Sequence, residues 1–118
     1  MRPVLIAIIV LSLFSCKKTN QLLPIPDLHS TNWNLHYKYD GFTFYAETEL
    51  RFHADTTFEN IGVSDTIYGH WNVEHDSVQL FFDNNAYFHG IAISTDSLSG
   101  TMFNAGAGIG GVWNAGTK

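Results

Sequence analysis

The fold turns on one stretch: Asp40-Gly41-Phe42-Thr43-Phe44-Tyr45-Ala46-Glu47-Thr48-Glu49-Leu50-Arg51-Phe52-His53. From Phe42 onward it alternates. Phe42, Phe44, Ala46, Leu50 and Phe52 fall on one side, and Thr43, Glu47, Glu49, Arg51 and His53 on the other. Successive strand residues point to opposite faces, so this period of two predicts a strand with one face buried and one in water. The run before it alternates as well, Trp33, Leu35, Tyr37 and Tyr39 against Asn34, His36 and Lys38. Asp40-Gly41 lies between the two runs. A glycine takes the positive φ of a tight turn without strain, so the pair predicts a hairpin.

The same pattern continues downstream. A weaker strand spans 57–63, interrupted by Gly62, and Ser64-Asp65 turns the chain. Ile67, Gly69, Trp71 and Val73 form an inward row, His75-Asp76-Ser77 turns, and Val78, Leu80 and Phe82 form the next. After Asp83-Asn84-Asn85 comes a sixth strand over 87–93, whose inward face alternation leaves open. Thr95-Asp96-Ser97 turns again, Leu98, Gly100 and Met102 alternate, and a Gly-rich loop from Gly106 to Gly111 leads to a short last strand over 112–115. Eight short strands at spacings of about ten to twelve residues, joined by turns, predict an all-β meander. Eight twisted strands can close and so remove both edges. The expected fold is therefore an up-and-down antiparallel eight-stranded barrel, with Trp33 and Trp113 as close neighbours across its seam.

The N-terminus has a different composition. After Met1, Arg2 and Pro3, the run Val4 to Phe14 is apolar except for Ser12, and Lys17 and Lys18 end it. That is the length of a signal-peptide core, short of the roughly 20 apolar residues of a transmembrane helix. Leu13-Phe14-Ser15-Cys16 resembles the lipobox of bacterial lipoproteins. The resemblance implies cleavage before Cys16, a diacylglyceryl group on its sulfur and an acylated N-terminus, with a palmitate-type chain in the membrane. Two or more acyl chains give stable anchoring, at about 0.8 kcal/mol per buried methylene. Cys16 is the only cysteine, so the exported domain has no disulfide. The division expected is a signal peptide over 1–15, lipidated cysteine and tether over 16–29, and the barrel over 30–118. Pro24 and Pro26 keep the tether extended, and Leu22, Leu23 and Ile25 are placed to pack across the base of the barrel. Lys17 follows the cysteine where an aspartate commonly signals inner-membrane retention in related lipoproteins, and no acidic run follows. The expected location is the cell envelope, on the outer membrane facing the periplasm.

The full chain carries 6 basic and 11 acidic side chains, a net charge of −5. This acidic balance argues against nucleic acid as a partner and against adhesion of the domain to anionic lipid. Beyond Cys16, every aromatic residue lies between Trp33 and Trp113, a composition unlike that of a disordered tail.

Layout and motifs together resemble the small lipocalin-like lipoproteins of Gram-negative bacteria. The points of contact are the lipobox, Thr31-Asn32-Trp33, Gly69-His70-Trp71, Leu98-Ser99-Gly100-Thr101 and Gly111-Val112-Trp113. Two departures stand out: Thr31 replaces the glycine of the family's Gly-x-Trp, and Arg51 is the only arginine beyond Cys16, with none late in the barrel. An avidin-like barrel would share the layout. The resemblance implies a binding module for a small apolar molecule.

The residues offer little chemistry. Gly106-Ala107-Gly108-Ile109-Gly110-Gly111 lacks the Lys-Ser/Thr ending and following helix of a phosphate loop. Of the six histidines, His36, His53 and His70 are expected on outward faces and His75 in a turn, which is not a converging metal set. Glu47 and Glu49 share a solvated face with Arg51, so a raised carboxyl pKa is not expected. No nucleophile has a base at recognisable spacing, so no enzyme activity and no cofactor are expected. Tyr87 and His89 turned inward beside Asn104 would reopen that question. The remaining candidate is the interior: Trp33, Tyr37, Phe44, Trp71, Leu80, Met102 and Trp113 are expected inward as ligand-binding residues. An eight-stranded barrel either fills with side chains or holds one small ligand. Inward Gly69, Ala46 and Gly100 would leave room, and inward rings would close it. The second reading is a packed barrel engaging another envelope protein, with that partner unnamed.

Overall fold

A computed structural model describes residues 23–118. The expected signal peptide over 1–15, Cys16 and Leu22 lie outside the described residues. The chain forms β1 (Asn32–Tyr39), β2 (Ala46–Phe52), β3 (Thr57–Ile61), β4 (Thr66–Glu74), β5 (Ser77–Phe82), β6 (Ala86–Ser94), β7 (Ser97–Asn104) and β8 (Ile109–Thr117). Neighbours pair antiparallel in sequence order, and β8 returns to β1, closing the barrel.

Alternation sets which residues enter the core. The sixth strand turns Ala86, Phe88, Gly90 and Ala92 inward and leaves Tyr87 and His89 outside. In β3 the inward residues are Phe58 and Asn60. The seam does close, but Trp113 lies opposite Tyr37 and Trp33 opposite Thr117, so the two tryptophans are staggered along it. The barrel's shear produces this offset.

Three boundaries differ from the sequence reading. β2 begins at Ala46, four residues later than the alternation suggests. Phe42 donates its N–H to the Tyr39 carbonyl at 3.1 Å, closing the turn at Gly41. The last β1–β2 pair is nevertheless Tyr37 with Ala46, while Lys38 and Tyr39 pair only with β8. Period two gives a face and says nothing about where pairing stops. β3 ends at Ile61, and Gly62 begins the turn. β8 starts at Ile109, so Gly110 and Gly111 belong to a strand opposite Phe103 and Met102, not to a flexible loop.

The two ends of the barrel are unlike. The base carries the 53–56, 75–76 and 95–96 turns, and the described tether crosses it. Leu23 bridges Ala92, Ile25 packs against the core and Leu28 is 1% exposed. The mouth carries the 40–45, 62–65, 83–85 and 105–108 connections.

Candidate functional site

The middle of the barrel is filled by rings in contact. Phe52, Phe58, Phe82, Phe88 and Trp113 follow one another at centroid separations of 6.1, 4.9, 4.6 and 5.7 Å. Trp71 joins Phe52 at 5.8 Å, and Tyr37 joins Phe88 at 6.0 Å. The inward glycines make this possible. A Cβ on Gly69 would lie 2.5 Å from the Phe58 ring, and one on Gly90 would lie 2.4 Å from the Trp113 ring. The room that Gly69 provides is therefore taken by a neighbouring ring. A Cβ on Gly100 would lie 1.9 Å from the His89 carbonyl oxygen, so it too leaves no room for a ligand. Ala46 is exposed.

Of the expected lining, Trp33, Trp71, Leu80, Met102 and Trp113 are buried in this core, and Tyr37 is half-buried at its upper edge. The tryptophan N–H groups fix some of these rings. Trp113 Nε1 donates to the carbonyls of Thr101 at 3.0 Å and His89 at 3.2 Å. Trp33 Nε1 donates to Thr31 Oγ1 at 2.9 Å, and Thr31 Oγ1 donates to the Leu28 carbonyl at 2.6 Å. Thr31 thus ties the tether plug to the first strand. Phe44 is corrected: it is 85% exposed in the 40–45 connection, beside exposed Phe42 and Tyr45. The face it shares with Leu50 and Phe52 continues past the rim, where no partner strand remains.

Above the ring layer the interior becomes polar. Asn60, which the sequence reading did not single out, is 5% exposed, and its Oδ1 has no hydrogen-bond partner. The Thr48 hydroxyl oxygen, one of two other unpartnered side-chain atoms buried among the described residues, lies at the same end. Asn60 bounds a small cavity of about 30 Å³ at the mouth, with Tyr37, Tyr39, Phe82, Asn84, Ala86 and Phe88. It also bounds an open groove of about 240 Å³ beside it, with Tyr37, Glu47, Thr48, Asp65 and Ile67. The small cavity has room for a single water and not for a ligand. Burial pushes the Tyr37 phenol above its ordinary pKa, so it stays neutral at the groove wall. The missed signal for Asn60 lay in Thr57-Phe58-Glu59-Asn60-Ile61, which reads equally well on either face until Leu50 is set opposite Asn60.

The histidines sit outside. His36 Nε2 is 2.7 Å from Glu47, and His53 Nε2 is 3.2 Å from Glu59. Among the described residues no three His, Cys, Asp or Glu side chains converge as a metal set. No known family model matches the chain, and no curated protein is similar enough to it to count as a relative.

Proposed function

We propose that this chain is a lipoprotein of the cell envelope, cut before Cys16 and acylated there, whose barrel holds a small, largely apolar molecule at its mouth. The reading includes no catalytic step and no cofactor. The observation that carries it is the asymmetry of the ends. Leu28 plugs the base, whereas the mouth keeps a groove floored by Tyr37, Ile67 and the unpartnered Asn60. The groove sets Tyr37, Val63 and Ile67 beside the polar Glu47, Thr48, Asn60, Ser64 and Asp65, a small apolar patch with polar groups around it. The filled middle argues against a ligand deep in the barrel, which is where lining by Trp33, Trp71, Leu80, Met102 and Trp113 would put it.

The anchor fits the same geometry. Leu23 meets Ala92 at the base. In this reading the seven-residue span from Cys16 to Leu23, at most about 25 Å when extended, attaches the lipid on the base side of the barrel. An outer-membrane, periplasm-facing position remains our preferred location. Cys16→Ser should release the protein into the soluble fraction and abolish palmitate labelling; retention of both would sink the anchor. For the ligand, native mass spectrometry on a soluble form beginning at Lys18, purified gently from its own periplasm, should show a discrete extra mass lost on denaturation. A clean apo mass, with no uptake of an apolar fluorescent probe, counts against the binding reading.

A second reading has its own observation. On the outer wall, His70, Phe81 and Tyr87 stand in cross-strand register, with ring centroids 4.9 and 5.1 Å apart, and Phe103 continues the row at 49% exposure. Such a row fits a packed barrel that engages another envelope protein.

A further inference from the structure

We infer that the uncharged half of the outer wall, formed by β5–β8, is where a second copy of this chain docks. This rests on the outer-wall reading above and names the partner. The two halves of the wall differ in a way that closing a barrel does not require. The strands β1–β4 carry Lys38, Glu47, Glu49, Arg51, Glu59 and Glu74, all at outward positions. The strands β5–β8 carry no Asp, Glu, Lys or Arg. Their outward positions hold Phe81, Tyr87, Ile91, Phe103 and Val112 among neutral polar residues. Carboxylates return only in the turns that bound this wall, Asp76 and Asp96 at the base and Asp83 at the mouth. Interface cores are depleted in charge and enriched in aromatic rings, with a polar rim around them.

Charge, symmetry and area favour a second copy. The chain's net charge of −5 keeps copies apart wherever their charged walls meet, and on the β5–β8 wall they meet without opposing carboxylates. A charged partner would find its counter-charges on the β1–β4 wall instead. Tyr87 and Phe103 are register partners on β6 and β7, the two central strands of the uncharged wall. A two-fold axis running along the barrel between those strands sets Tyr87 of each copy towards Phe103 of the other, a self-complementary contact. Four strands about 4.8 Å apart, each of about eight residues at about 3.3 Å, present roughly 500 Å² per copy. The total of about 1,000 Å² is where specific interfaces begin, so the pair is weak in free solution. This axis keeps both bases on the same side. In the anchored reading both lipids then enter one membrane, which raises the effective concentration of each copy for the other.

The test uses the full chain in its own membrane. Thr101 is exposed on β7 beside the axis, and Thr57 is exposed on β3, on the far side of the barrel. Cys16 is the only native cysteine, and the unsubstituted chain serves as the control for it. A short bismaleimide bridges thiols on facing sheets, which pack about 10 Å apart. Thr101→Cys should give several-fold more covalent product of twice the chain's mass than Thr57→Cys does. Adding Phe103→Glu should reduce the Thr101→Cys product several-fold, with unchanged β-sheet circular dichroism reporting an intact fold. Co-expressed copies carrying Tyr87→Lys should restore it, because opposite charges then face each other across the axis. The contrast between Thr101 and Thr57 stands without any ring variant. Equal product at both positions would mean random collision and overturn the inference. A Thr101→Cys product with a different protein would overturn the second copy and leave the outer-wall reading standing. No product of either kind at Thr101 would overturn both.

Discussion

The base and the mouth of this barrel are built from the same alternating strands, yet they handle their polar groups differently. At the base, the tether tucks Leu28 under the sheet, Thr31 accepts from Trp33 and donates to the Leu28 carbonyl, and Asp27 takes two hydrogen bonds from His29. The His29 ring meets Trp71 edge-on at 4.9 Å, although Trp71 Nε1 itself finds no acceptor. At the mouth no segment among the described residues folds back as the tether does at the base. Asn60 and Thr48 keep buried oxygens without donors, and Phe42, Phe44 and Tyr45 stand in water. One end has been closed for stability. The other leaves two buried oxygens without donors, against the one unpartnered Trp71 N–H at the base.

The largest effect should come from the filled waist that separates the ends. Gly69→Ala drives a methyl to 2.3 Å from the Phe81 carbonyl oxygen and 2.5 Å from the Phe58 ring. Overpacking usually costs about 1–3 kcal/mol, and a clash with backbone belongs at or above the upper limit. Chemical denaturation should show a loss of about 3 kcal/mol; a loss below about 1 kcal/mol would mean that the rings have slack. Leu28→Ala should cost the base about 3 kcal/mol, since it empties a plugged site. If Leu28 is dispensable, the tether is a bystander and the two ends are alike.

Asn60→Leu sharpens the comparison because its sign is opposite. Replacing an unpartnered buried amide by an apolar side chain of similar size should stabilise the fold by about 1 kcal/mol. Clear destabilisation would show that Asn60 is satisfied in solution and belongs to the structure rather than to a site.

The strand order was legible in the sequence because each turn carries its own chemistry: Ser64-Asp65, His75-Asp76, Asp83-Asn84-Asn85 and Thr95-Asp96 all fall between observed strands. The buried rings of Trp33, Phe52, Trp71, Phe82 and Trp113 were legible from alternation, whereas Phe58 and Phe88 lie on strands whose inward face it left open. The ends were not. Leu28 lies beyond the two prolines in a stretch with no period, and its burial depends on where the tether lands. Asn60 looks like a surface residue by type, and only pairing with Leu50 turns it inward. The staggering of Trp33 and Trp113 depends on shear, a property of the closed sheet that no single strand encodes.

The ends should also separate by pH. Hydrogen bonds from the His29 side chain and backbone hold the Asp27 carboxyl below its ordinary pKa. Its contribution is present above the unfolded carboxylate pKa and is lost as pH falls through the lower folded value. Burial raises the Tyr37 phenol, so its contribution is full below about pH 10 and is lost as pH climbs further, when the unfolded chain ionises first. Amide exchange should therefore quicken first near residues 27–31 in acid and first near Tyr37 in alkali. Simultaneous loosening of both ends at either extreme would remove the distinction.

The smallest effect is expected at Phe44, and its smallness is informative. Phe44 continues the face that buries Leu50 and Phe52, so sequence alone gives it the same role. In the structure it is 85% exposed, two residues before β2 begins. A side chain already in water has little transfer free energy to lose, and exposed substitutions commonly stay within about 0.5 kcal/mol. Phe44→Ser should therefore leave the denaturation midpoint nearly unchanged. A loss of 2 kcal/mol or more, the order expected for a buried ring, would mean that the 40–45 connection closes over the barrel in solution. The mouth would then be capped like the base, and the groove at Asn60 would be an interior site.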